Sequence, residues 1–128
     1  MKLLLDTHVL LWAATRPAKL SARTTALLLN VSNELFFSAA SLWEVAIKRA
    51  NGRQALLVEA GVLRRRLLTH QYKELVINGG HAVFVEKLPL LHRDPFDRIL
   101  IAQAAVDGLV LVSADKLVLQ YPGQLYPA

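Results

Sequence analysis

The sequence predicts an α/β fold, a three-layer α/β/α domain on a parallel sheet, and three observations lead there. Short apolar runs recur along the chain, helical patterns fill the intervals between them, and the punctuation by Gly, Pro and Asn is local. No repeat, low-complexity stretch or Gly/Ser-rich linker divides the 128 residues, so one domain spanning 1–128 is expected. Continuous apolar runs suit strands covered on both faces. At this length folding hides roughly 65–70% of the unfolded chain's surface, and 54% apolar against 20% charged residues supply the core.

Leu3-Leu4-Leu5 reads as the first strand. Asp6 and His8 interrupt the run before it reaches signal-peptide length, and nothing approaches the ~18 apolar residues of a membrane span, so a cytoplasmic protein with no membrane segment is expected. Helical patterns follow at Thr7–Ala14 and Ser21–Asn30. Leu35-Phe36-Phe37 is the second strand, leading into a helix over Ala39–Ala50. Ser41 and Glu44 have capping-box spacing, yet Ser38 directly follows the strand and is the better helix start, which leaves Glu44 too deep to cap. Beyond Asn51-Gly52 a helix is expected over Leu56–Gln71; its consecutive Arg64, Arg65 and Arg66 fan around roughly 200° and are read as solvated. Leu75-Val76-Ile77 reads as the third strand, Asn78-Gly79-Gly80 as a turn, and His81–Lys87 as a helix. Asp94 and Pro95 then form an N-cap with proline at N1 for a helix over Pro95–Asp107, closed by Gly108 at its C-cap. Val110-Leu111-Val112 is the fourth strand, with a closing strand near Gln124–Tyr126.

Open α/β sheets bind ligands outside the carboxyl ends of their strands, where strand order reverses. Asp6 follows the first strand directly and Asp115 lies three residues beyond Val112, so both belong to that edge. Glu44, about two turns into its helix, and Asp97, in the first turn of the helix from Pro95, sit near helix N-termini that point the same way. Asp97, Ile101, Ala104 and Ala105 follow i, i+4, i+7, i+8 spacing, which turns the carboxylate toward the sheet. Each acid also has a plainer role: Asp97 favours the helix dipole at N3, and Asp115 favours a helix beginning after Ser113. Their joint placement decides, because four converging carboxylates repel one another unless a cation is present. With no cysteine the ligands are oxygen or imidazole, and carboxylates plus water suit Mg2+ or Mn2+. Phosphodiester hydrolysis by a metal-activated water fits such a centre.

The stretches LLLDTHVLLW, SAASLWEVAIK, DPFDRILIAQA and LVSAD, in that order, resemble the motifs of PIN-domain ribonucleases of the VapC toxin type. By position, the resemblance implies that Asp6, Glu44 and Asp97 are the three acids of the centre and Asp115 its fourth, more variable one, with Asp6 and Asp97 as metal ligands. Asp97 is chosen over Asp94 because its distance along the chain to Asp115 agrees with the family's usual spacing. Ser113 stands where the family often has threonine. The resemblance further implies a five-stranded parallel sheet, Mg2+-dependent cleavage of an RNA substrate, a homodimer, and a cognate antitoxin whose tail enters the site.

A basic excess suits a polyanionic substrate such as nucleic acid, and the same excess suits an acidic protein partner. The net charge is +5, and setting four acids aside leaves fifteen bases against six acids, or +9. Lys48, Arg49, Arg93, Arg98 and Lys116 are the candidate phosphate contacts, Arg98 having the alternative of pairing with Asp94. His8, His70, His81 and His92 show no ligand spacing; His8 and His92 fall near enough to the acids to act as supporting groups. Trp12 and Trp43 flank the site elements and are read as core or dimer packing ahead of base stacking. Two other functions compete: a phosphoacceptor receiver, which lacks its acidic pair and well-placed lysine here, and a silent binding module that holds a metal or a basic peptide.

Overall fold

The computed structural model describes residues 1–52 and 58–128. Five strands, β1 (Lys2–Leu5), β2 (Glu34–Ser38), β3 (Lys73–Leu75), β4 (Val110–Ser113) and β5 (Leu125–Pro127), form one sheet in the order β3-β2-β1-β4-β5. Every neighbouring pair is parallel. The helices are α1 (Thr7–Thr15), α2 (Ala22–Leu29), α3 (Ala39–Ala50), α4 (Ala60–Thr69), α5 (Gly79–Phe84) and α6 (Pro95–Asp107). Of the fourth predicted helix, Leu56 and Leu57 lie outside the described residues.

Strand alternation divides the core in two. Leu3 and Leu5 point to one face of β1, where they pack with Val9, Leu10, Phe37, Val45, Leu63 and Leu67. Leu4 points to the other, against Ala40, Leu100, Ile101, Leu109 and Leu111. β1, the central strand, is apolar on both faces because both are covered. Burying each such leucine contributes about 1.5–3 kcal/mol.

Sequence signals set most helix boundaries. Ser38 caps α3 by accepting from the Ala40 N–H at 3.0 Å. Asp94 caps α6 by accepting from the N–H groups of Phe96 (2.8 Å) and Asp97 (3.4 Å), with Pro95 at N1. Gly108 ends α6 at φ 69°, a left-handed conformation natural to glycine. Three expectations fail. The third strand was expected at Leu75–Ile77 but pairs through Lys73–Leu75, leaving Val76 and Ile77 exposed. β3 is an edge strand with one partner, so a continuous apolar run does not locate it. The helix expected from His81 begins at Gly79 under an Asn78 cap and tightens to a 3-10 turn over Val85–Lys87. Ala105, placed on the buried stripe of α6, is exposed, whereas Arg98 and Gln103 are buried.

The order reverses between β1 and β4: β1 leads on to β2 and β3 on one side, and β4 leads to β5 on the other. The carboxyl ends of β1 and β4 therefore flank the crevice in which α/β sheets place ligands.

Candidate metal centre

Asp6 extends the ladder at the end of β1, its N–H donating to the Val112 carbonyl at 3.0 Å. It is also the N-cap of α1. One carboxylate oxygen accepts from the Val9 N–H at 2.9 Å, and the other accepts from the Ser113 hydroxyl at the end of β4. The capping role is not among the sequence expectations, although an Asp directly before a helical pattern is its usual signal. Burial pushes the Asp6 carboxyl up, against the Ser113 and Val9 hydrogen bonds; the Asp115 charge adds to the rise.

Ser113 links Asp6 to the next acid, since its Oγ accepts from the Asp115 N–H at 3.1 Å. Asp115 Oδ1 accepts from the N–H groups of Leu117 (2.8 Å) and Val118 (3.3 Å), so the local role expected of this residue is present. Its Oδ2 lies 3.6 Å from His92 Nε2, and the same nitrogen lies 2.8 Å from Asp97 Oδ2. Hydrogen bonds thus run from Asp6 through Ser113 to the Asp115 backbone and from Asp97 to His92, whose Nε2 approaches the Asp115 carboxylate without bonding it. The Asp97 carboxyl is pushed up to about 6, chiefly by burial and then by the charge of Asp94, with Asp6 contributing and the His92 hydrogen bond opposing. Asp94 itself is close: His92, Asp94 and Asp97 each offer a ligand atom within 4.8 Å of the others.

Glu44 stands on another element, α3, and has no direct contact with the other three acids. Ser41, one turn earlier on the same face of α3, accepts from the Thr7 hydroxyl at 2.9 Å, which turns that face to the start of α1 beside Asp6. Glu44 is buried with Oε2 bonded to Lys48 at 2.6 Å. Its Oε1 is the one buried side-chain oxygen or nitrogen without a partner among the described residues. An unmatched buried carboxylate oxygen is costly unless a cation or a water's hydrogen faces it.

The donor set suits a hard divalent ion. It is carboxylate oxygen, Glu44 on α3 adds a carboxylate oxygen without a partner, and the crowding and burial that raise Asp6 and Asp97 are what a cation offsets.

Some expected contacts are absent from the centre. Arg98, a candidate phosphate contact, is buried, and its guanidinium donates to the carbonyls of Pro89, Val85 and His92 and to Tyr121 Oη. None of its side-chain bonds goes to Asp94. Lys48 is engaged by Glu44, while Arg49, Arg93 and Lys116 are exposed. Arg64, Arg65 and Arg66 are solvated as expected, Arg64 gripping Glu74 through two nitrogens. His92 is at the centre, His8 is exposed and His70 bonds the Arg66 carbonyl. Trp43 does not join the core: it is 61% exposed, edge-on to Phe96 with ring centroids 5.2 Å apart.

A family model, "PIN domain", matches residues 3–123. Among solved structures, the chain is similar to one in VapBC2 from Rickettsia felis bound to a DNA fragment from their promoter, at 15% identity and TM-score 0.74, covering 100% of this chain and 99% of that one. It is similar to one in DNA-bound VapBC from Salmonella typhimurium, at 17% identity and TM-score 0.68, covering 99% and 98%. A third likeness is to VapBC-1 from nontypeable Haemophilus influenzae, at 21% identity and TM-score 0.62, again covering 99% and 98%. At these identities the likeness is one of fold. No curated protein matches the sequence.

Proposed function

We propose that this chain, which belongs to the PIN domain family, is a divalent-metal-dependent endoribonuclease and the toxin of a toxin–antitoxin pair. Nuclease activity is typical of the family. Asp6, Glu44, Asp97 and Asp115 are the acidic centre, Asp6 and Asp97 the metal ligands, and Mg2+ or Mn2+ the ion. One observation carries this reading: acids more than a hundred residues apart in sequence meet at the reversal of strand order through the Ser113 and His92 contacts. Capping needs no such convergence.

When bound, the ion lowers the pKa of water and offsets charge on the phosphoryl oxygens. The chain's own residues do the rest. Asp6 and Asp97 supply negative charge from fixed positions, each anchored on a helix start. Glu44 offers Oε1 as a free acceptor for a water's hydrogen, while Lys48 balances its other oxygen. Exposed Arg49, Arg93 and Lys116 contribute basic charge for RNA phosphates.

Incubation of total RNA with the protein, in Mg2+ or Mn2+ and again in excess chelator, tests the reading. Cleavage should need the ion and leave a 5′-phosphate and a 3′-hydroxyl, because water rather than the ribose 2′-hydroxyl attacks. Cyclic phosphate ends, or cleavage persisting in chelator, would replace it with metal-free chemistry. RNA left intact under every condition, with metal still bound, would favour the silent binding module. The family match removes the receiver.

The partner reading rests on separate ground. The three similar structures named above are VapBC complexes. Between α1, α2, β2 and α4 lies a cleft of about 320 Å³ lined by residues including Ala14, Leu20, Leu28, Leu35 and Leu67, with Arg66 and His70 beside them. A few apolar side chains from an amphipathic antitoxin helix that also carries acidic residues suit its apolar lining and its basic edge. The homodimer is the other partner in this reading, and light scattering would check it.

A further inference from the structure

Beyond Leu88, which packs in the core, the stretch leading to α6 has no buried apolar side chain: Leu90 is 90% exposed and Leu91 is exposed as well. Polar contacts hold it instead. Arg98 Nη1 donates to the Pro89 carbonyl (2.9 Å) and to Tyr121 Oη (3.0 Å), reaching the His92 carbonyl at 3.5 Å, and Nη2 donates to the Val85 carbonyl at 3.1 Å. Tyr121 Oη accepts from the His92 N–H at 2.8 Å and donates to the His92 carbonyl at 3.3 Å. Both ends of the His92 residue are thus gripped by groups buried on α6 and before β5. Burying a guanidinium with only neutral partners is expensive, and the outcome is a defined position for one short segment.

That position sets a single nitrogen, His92 Nε2, between acids on two elements: 2.8 Å from Asp97 Oδ2 on α6 and 3.6 Å from Asp115 Oδ2 beyond β4. The shorter contact is a hydrogen bond and the longer one an electrostatic contact. A carboxylate fixed through one oxygen presents the other in a defined direction. Groups that orient ligating carboxylates in this way commonly govern metal affinity.

We infer that His92 is a positioning residue of the acidic centre, held by Tyr121 and Arg98 so that its ring orients Asp97, and secondarily Asp115, toward the ion. The inference rests on the metal-centre reading above and adds a residue that neither the acid pattern nor the expected ligand set contains. His92 is not a ligand in this account; it acts through Asp97.

Calorimetric titration of Mn2+ into the full chain tests it, comparing wild type, His92→Ala, His92→Gln, Tyr121→Phe and Asp97→Asn at one alkaline pH. His92→Ala should weaken Mn2+ binding by about 10–100-fold. His92→Gln, whose amide nitrogen reaches about where Nε2 sits, should restore most of it. In RNA cleavage the Mn2+ concentration for half-maximal rate should rise in His92→Ala, while the rate at saturating Mn2+ stays within several-fold of wild type. A lower melting temperature in chelator with unchanged Mn2+ affinity would make His92 merely structural and overturn the inference. If His92→Ala does not fold, Tyr121→Phe decides, since it keeps the ring and removes the hydroxyl that grips its backbone: weaker Mn2+ binding supports the inference and unchanged binding overturns it. A wild type that binds no Mn2+, or an Asp97→Asn variant that binds as wild type does, defeats the metal-centre reading and the inference together. Tight binding by both wild type and His92→Ala defeats the inference alone.

Discussion

Two hydrogen-bonded histidine–aspartate pairs among the described residues sit at opposite ends of α6, and their surroundings differ. At the C-terminal end, His81 is fully buried, its Nδ1 accepts from the Asn78 N–H at 3.1 Å, and its Nε2 meets Asp107 Oδ1 at 3.1 Å. Asn78 completes a reciprocal cap by accepting from the His81 N–H at 3.0 Å. Both ring nitrogens are spent, and the pair ties the start of α5 to the end of α6. At the N-terminal end, His92 faces two acids, one of them also close to a third. A histidine–aspartate contact therefore does not by itself mark a site. What distinguishes the second pair is surplus negative charge: more carboxylate oxygens converge there than the ring can satisfy, whereas around His81 donors and acceptors balance.

Substitutions on the two aspartates should separate the pairs most sharply. Asp97→Asn, like Asp6→Asn, should abolish metal-dependent RNA cleavage with the fold intact or firmer, since relieving clustered charge removes repulsion. Asp107→Asn should leave the rate of the folded protein near wild type. Initial rates in Mg2+, with circular dichroism to confirm folding, check both, and a folded but inactive Asp107→Asn would erase the distinction. Next in size, His81→Ala should cost roughly 2–4 kcal/mol in urea unfolding, because it opens a cavity and leaves buried polar partners unmatched. Its Mg2+-induced gain in melting temperature should match that of wild type.

Within the N-terminal end of α6, Asp94 is the cap, and the proposed function gives the chemistry to Asp97. Asp94→Ala should cost about 0.5–2 kcal/mol while the folded fraction keeps its metal-dependent rate. Asp97→Ala should do the reverse, with a smaller stabilisation by Mg2+ than in wild type, since only a bound ion shifts the folding equilibrium. The opposite pattern would transfer the ligand role to Asp94.

The smallest effect concerns pH in the absence of metal. Asp97 titrates at about 6 when folded, above its ordinary 3.8, so the native state binds this proton more tightly than the unfolded chain. Its contribution to stability is fully present below 3.8 and is lost as pH rises through about 6. Asp6, raised as well, acts in the same direction. In chelator, the melting temperature of wild type relative to Asp97→Asn should therefore climb as pH falls from about 7.5 to about 5. A difference between the two proteins that did not change with pH would show that Asp97 carries no such shift.

Much of this was legible along the chain, and the rest was legible only in part. Asp94-Pro95, Ser38 and Gly108 announced their helix ends because capping is a contact between neighbours in sequence. Asp6, Glu44, Asp97 and Asp115 were nameable because each sits at a fixed offset from a strand or helix whose direction the parallel α/β pattern implies, although the placement of Glu44 still rests on a shared helix face. Arg98 misled: a basic residue beside the acidic edge reads as a phosphate contact or a partner for Asp94, and its actual carbonyl partners lie on a segment whose path has no periodic signal. β3 misled for a related reason, since an edge strand is defined by the partner it pairs with and not by its own run of apolar residues.

By itself the sequence determined the succession of strands and helices, the double-sided apolar character of β1 and the edge of the sheet that collects acids, because periodicity and capping act over a few residues. Only the tertiary structure decided that Ser113 bonds a carboxylate 107 residues away, that Tyr121 grips His92 across 29 residues, and that one imidazole lies between Asp97 and Asp115. Such contacts depend on strand order and on the path of an irregular segment, and both follow from how distant surfaces pack, which no local pattern encodes.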